Sequence, residues 1–362
     1  MKNVLANLVT DGIRLAANEL KDFTKDVVTT GMTFESAMSS VGAISGSSAE
    51  EIELLNDKAK EMGATTKFPL EIVTTIFPEY DWVREILGDN PGNAELTMLL
   101  DNGVDLHSYQ PTAADILKIS TCDIFIYVGG ESDEWVEDAL KEATNKDMIV
   151  IDLLDTLGDS VKEEEVVEGM EGEEEEESGG EEGPEYDEHV WLSLKNAAVF
   201  CDAITDALAQ ADAANADTYR ANAESYKSRI AALDAEYQSA VAAGARKTLL
   251  FGDRFPFRYL VDDYGLSYYA AFVGCSAETE ASFETVTFLA DKLDELGLGS
   301  VMIIDGSDGE IAETIIENTE KKDQEILTLD SMQSTTSEDI ASGTTYISIM
   351  EKNLAVLKQA LQ

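Results

Sequence analysis

The chain has 362 residues, 44% of them hydrophobic, and sets 73 Asp and Glu against 25 Lys and Arg for a formal net charge of −48. That length suits two or three cores, and so negative a chain repels nucleic acid and anionic membrane faces, which excludes a nucleic-acid partner. Cys122, Cys201 and Cys275 form no CxxC pair, so neither a thiolate zinc knuckle nor a dithiol redox centre is expected from neighbours.

Residues 1–68 read as helical. Leu5, Leu8, Ile13, Leu15 and Leu20 share one helical face, and Ser48 with Glu51 forms a capping-box pattern ahead of Ile52, Leu54 and Leu55, up to Gly63. Asp11 and Glu19 interrupt this front, unlike the apolar core of a signal peptide, so no export leader is expected. From Pro69 the texture changes. Apolar runs at 70–76, 95–99, 124–128 and 148–152 read as strands, and the segments around Trp82–Ile86, at 112–120 and at 132–143 as helices. This alternation predicts an α/β lobe with a mostly parallel sheet over 69–213.

Within that lobe, Glu163 to Glu188 holds 14 Glu, one Asp and five Gly with no basic residue, which predicts a disordered, solvated acidic loop. Residues 214–244 follow as one long connecting helix, with Tyr219, Tyr226, Ile230, Leu233 and Tyr237 on one face. Strands at 248–251, 268–273, 300–304 and 325–329 then alternate with helices at 257–264, 282–296, 310–319 and 346–361, a second α/β lobe over 245–362. Two lobes joined by a rod enclose a cleft.

There are two histidines, and each lies where a polar or acidic turn hands over to a helix: His107 in Asp105–Pro111 and His189 in Tyr186–Leu192. Neutral imidazoles with one or two carboxylates make a sensible cage for a divalent transition ion. A lone histidine is more often a hydrogen-bonded loop residue. Carboxylates at predicted strand ends of the second lobe are Asp253, Glu280, Asp305 and Asp330, the place where open parallel sheets collect ligands. Each also reads as a helix cap or a solvated loop acid.

Residues 70–361 resemble the zinc- and manganese-binding group of ABC-transporter substrate-binding proteins, the zinc-uptake and TroA-like family. Ile72–Pro78 is similar to the family's first strand, Val104–Thr112 to its D-x-H-x-Y-x-P motif, Cys122–Gly130 to its next strand, and Asp187–Leu192 to D-P-H-x-W-L, with Glu188 in place of proline. The resemblance implies that His107 and His189 are metal ligands. The family's third ligand, His or Glu, falls on Arg254, which cannot ligate a cation, so Asp253 is the expected neighbour, with Glu280 as the alternative. Leu329-Asp330-Ser331 is similar to the family's late Asp-Ser and makes Asp330 the expected fourth ligand. Family members often carry a His- and acid-rich loop here, so the acidic stretch reads either as a cation collector or as a solubilising surface.

Residues 29–68 resemble the start of a phage tail tape measure protein, through Thr30–Gly46 and Lys60–Phe68. The resemblance over 70–361 implies the substrate-binding component of an ABC importer, a monomer that captures Zn2+, alternatively Mn2+, as cargo. It implies delivery to a membrane permease from the extracellular face or periplasm, in association with the membrane. No catalysis is expected, since no Ser-His-Asp arrangement, HExxH, phosphate loop or GxGxxG is present. The rival readings are a metal-dependent hydrolase and a structural fragment related to phage tails.

Overall fold

In the computed structural model, residues 69–88, 94–171, 185–276 and 280–362 are described, and the expected front helices and tape-measure-like stretch lie outside them. The apolar run after Pro69 forms β1 (Leu70–Thr74), and Pro78 falls in the first turn of α1 (Phe77–Leu87), where its missing N–H costs no helical bond. The lobe continues through β2 (Ala94–Met98), α2 (Ala113–Thr121), β3 (Ile124–Tyr127), α3 (Trp135–Lys141), β4 (Ile149–Asp152) and α4 (Leu153–Leu157). Its sheet runs β2-β1-β3-β4, with every pair parallel.

Helix α5 (Leu194–Ala211) starts at Ser193, whose side chain accepts the Asn196 amide, and leads into α6 (Ala216–Ala243). The 28 residues of α6 span about 42 Å. Its buried face is Tyr219, Ala223, Tyr226, Ile230, Leu233, Tyr237 and Val241, at the three- and four-residue steps that the sequence sets.

The second lobe comprises β5 (Thr248–Phe255), α7 (Arg258–Tyr264), β6 (Ser267–Val273), α8 (Phe283–Leu296), β7 (Ser300–Ile304), α9 (Glu310–Asn318), β8 (Glu325–Leu329), α10 (Ser337–Ala341) and α11 (Tyr346–Ala360). Its parallel sheet runs β6-β5-β7-β8. One buried apolar core runs from β1 and β3 through α5 and α6 to α11, so the lobes share an interior; a second cluster lies beneath α8 and α9. Such continuity resists wide hinge motion.

Two departures from the sequence reading have physical causes. Strand β5 continues past Gly252 to Phe255, with a register shift between Phe251 and Arg254. Helix α9 presses so close that a Cβ at Gly252 would lie 2.7 Å from the Ala312 Cα, so the glycine marks a close approach and not a strand end. The acidic stretch is also not loose at its two ends: Glu163 bridges Tyr186 and Glu171 bridges Phe272, with the Glu171 amide donating to Ala271 at 2.9 Å. Backbone pairing orders these ends despite their charge, Glu163 with Tyr186 across the stretch and Glu171 along the edge of β6. Among the described residues, no helix is long and apolar enough to cross a membrane.

Candidate metal centre

The turn Leu106–Ser108 follows β2, and the Asp105 carboxylate holds it by accepting the His107 amide at 3.0 Å. His189 opens the turn Val190–Leu192 ahead of α5. This second turn is clamped from the far lobe: Trp191 Nε1 donates to the Ser331 carbonyl at 2.9 Å, Tyr346 OH to the Trp191 carbonyl at 2.7 Å, and Tyr259 OH to the Asp187 carbonyl at 3.0 Å. His189 is therefore fully buried and fixed in place.

The two rings, 82 positions apart in sequence, meet with Nε2 facing Nε2 at 3.1 Å. Behind His189, Asp187 Oδ1 lies 3.1 Å from Nδ1; behind His107, Ser132 Oγ lies 2.7 Å and Glu188 Oε2 3.4 Å from Nδ1. Acceptors at both Nδ1 atoms favour the Nδ1–H tautomer, which turns two Nε2 lone pairs toward each other. Lone pairs so aimed repel unless a cation or a proton lies between them. Two nitrogens bound to one tetrahedral ion at about 2.0–2.1 Å would be separated by about 3.3 Å, close to the spacing observed. Burial first, then the charges of His189 and Arg254, pushes the His107 imidazole down to about 3, so it is neutral and able to ligate.

Among the described residues, one group of three or more metal-ligating side chains has its donor atoms within 4.8 Å of one another: His107, His189 and Cys275. Cys275 follows the end of β6, so the far lobe contributes a sulfur. Burial, then Glu188, Asp187 and Glu164, raises its thiol well above the ordinary value. The absence of a CxxC pair drew attention away from this residue. The usable signal was its place just beyond a strand end, whereas Cys122 and Cys201 are buried in the core.

The other sequence candidates lie outside this group. Asp253 Oδ1 accepts the Arg254 amide at 2.8 Å and Oδ2 the Ile304 amide at 3.3 Å, which ties its carboxylate to the β5 irregularity. Asp330 Oδ1 accepts the amide of Met332, a residue held at φ 65°, while Asn353 bonds the Asp330 backbone on both sides. Burial first, then Asp305, pushes the Asp330 carboxyl up to about 6. Asp305 accepts from Ser331 and Ser334, and Glu280 is exposed, with Ser282 capping α8 instead. Arg254 pairs with Asp105 at 2.7 Å.

A cavity of about 380 Å³, walled by His107, Glu131, Glu164, Glu185, Glu188 and Cys275, leads to the centre. Two parallel-sheet lobes on a shared core, with imidazoles and a thiol converging between them, define a metal-binding solute-binding protein, a two-lobed α/β architecture. The chain belongs to the family described as ZnuA, zinc-uptake complex component A, periplasmic, whose profile matches residues 72–360. Membership in a family of binding components supports a non-enzymatic role.

Similar proteins include the zinc-binding lipoprotein AdcA of Streptococcus pneumoniae serotype 4, 30% identical over 292 residues, covering 80% of this chain and 55% of that protein. The high-affinity zinc uptake system protein ZnuA of Bacillus subtilis is 27% identical over 294 residues, covering 81% and 88%. The Zn(II)-bound ZnuA-like domain of S. pneumoniae AdcA superposes with a TM-score of 0.63 at 28% identity, over 81% of this chain and 99% of that one. The chain thus spans about half the length of the streptococcal AdcA relatives.

Proposed function

We propose that this protein is the substrate-binding component of an ABC-type importer that captures a divalent transition metal ion, zinc foremost, between its lobes and hands it to a membrane permease. The observation that carries the reading is the convergence of the two Nε2 atoms at 3.1 Å, each ring backed by a carboxylate. His107 and His189 donate nitrogen. Asp330 and Asp253 lie outside the tight donor group, so either one becomes a ligand only through local rearrangement of its turn; Asp253 holds backbone amides with both oxygens, Asp330 with Oδ1. Zinc-binding relatives over the same span support the choice of ion, and the family supports the permease and a place outside the cytoplasmic membrane.

Release follows from the construction: the shared core keeps the lobes together, so exchange of the ion needs loosening around the turns that carry the donors. The test is zinc titration of the full chain against a chelator of known affinity, beside His107→Ala and His189→Ala. Loss of the tight site in both variants is expected. Retention in either removes that histidine from the site, and retention in both overturns the reading.

A further inference from the structure

We infer that Cys275 supplies a thiolate to the ion held by His107 and His189, and that this sulfur biases the cargo toward zinc and similarly thiophilic divalent ions and against manganese. The inference rests on the reading just given and names the ion class that the site selects.

Three observations meet at this residue. Its sulfur belongs to the one tight donor group among the described residues and lines the cavity leading to it. The backbone delivers it deliberately close: a Cβ on Gly274 would lie 2.9 Å from Cε1 and 3.1 Å from Nδ1 of His189, so only glycine lets the end of β6 pass against the ring. The carboxylates at the neighbouring strand ends lie outside that donor group, Asp253 held by backbone amides through both oxygens and Asp330 through Oδ1, so sulfur and not the oxygen that manganese favours is what the far lobe places beside the imidazoles. Thiolate and imidazole together suit zinc, and a sulfur and a nitrogen on one tetrahedral ion at about 2.3 and 2.0 Å would lie roughly 3.6 Å apart, within the observed grouping. On binding, the S–H bond breaks, the sulfur–metal bond forms and the proton leaves to solvent; no electron is transferred.

The experiment loads the full chain with Co2+ and records its near-ultraviolet absorption, then measures Zn2+ and Mn2+ affinities for the wild type, Cys275→Ser and Cys275→Asp. A thiolate-to-cobalt charge-transfer band is expected in the wild type and absent from both variants. Losing even an outer partner of a ligand costs about 10–100-fold in affinity, so Cys275→Ser should weaken zinc at least that much. Cys275→Asp, which restores a charged oxygen donor, should shift the zinc-to-manganese preference toward manganese. Zinc should also protect wild-type Cys275 from alkylation, which the buried Cys122 and Cys201 escape in any case. A cobalt complex without the band, or an unchanged zinc-to-manganese ratio in both variants, overturns the inference. If the histidine variants still abolish the tight site in that event, the transport reading stands and the sulfur alone is excluded.

Discussion

Arg254 and Asp105, 149 positions apart, form an ion pair of 2.7 Å across the cleft, and the other oxygen of the same carboxylate lies 4.0 Å from Nε2 of His107. The guanidinium charge acts on His107, and Asp105 offsets it beside the paired imidazoles. Removing the two partners should therefore have opposite consequences. Asp105→Asn leaves the guanidinium uncompensated and should weaken zinc binding by about tenfold at low salt, an effect that shrinks as ionic strength rises. Arg254→Met should not weaken binding. Chelator competition at two salt concentrations measures both, and equal losses in the two variants would show that the pair acts as a latch and not through charge.

Asp187 orients the buried ring of His189 through Nδ1 and also accepts the His189 amide at 2.9 Å. Asp187→Asn can keep the amide contact while removing the charge that favours the Nδ1–H tautomer. Metal affinity should fall about 10–100-fold with little change in melting temperature. Nitrogen-15 spectra of the imidazoles would report the tautomer directly, and an unaltered tautomer with unaltered affinity would refute the role.

Gly274→Ala tests the close approach of β6 to His189. A methyl group 2.9 Å from the ring cannot be accommodated without moving a side chain that is buried and clamped from both lobes. Overpacking of this kind costs about 1–3 kcal/mol, and zinc affinity should drop along with stability. Thermal melts with and without zinc separate the two effects; a zinc-induced stabilisation equal to that of the wild type would disprove the constraint.

Asp81 is a buried carboxyl paired with Arg84 that accepts the Tyr346 amide at 2.8 Å, joining α1 to the start of α11. Burial, only partly opposed by Arg84, raises it from 3.8 to about 6. A raised folded-state value means that the folded form binds the extra proton, so this group's contribution to stability is fully present below about pH 4 and is lost as pH rises through about 6. Its upper limit is about 3 kcal/mol. Denaturant unfolding of Asp81→Asn at several pH values should show a flatter profile between pH 4 and 6 than the wild type, and identical slopes would rule the carboxyl out as a source.

The alternation of apolar runs and helical periods was enough to read two parallel-sheet lobes and a long α6, because strand and helix patterns are local properties of the chain. The strand at 325–329 matches the sequence expectation residue by residue, and the five residues expected on one face of α6 are all buried, joined there by Ala223 and Val241. Helices α4 and α10 were not anticipated, since five-residue helices carry too little periodicity to stand out. The backbone pairing of the acidic stretch was equally hidden: charge density favours solvation, and the partners, Tyr186 for Glu163 and the β6 edge for Glu171, are set by the fold.

At the site, composition alone left each histidine an ordinary loop residue, and the resemblance of the surrounding motifs singled them out. What the sequence determined by itself was the periodic pattern that builds two lobes and the turn chemistry around His107 and His189. Tertiary structure alone decided that the two imidazoles face each other, that Asp253 and Asp330 lie outside their donor group, and that Cys275 arrives from the opposite lobe. The reason is physical: coordination depends on the direction and spacing of donor atoms from distant segments, and those are set by how the sheets pack, which no local stretch of chain encodes.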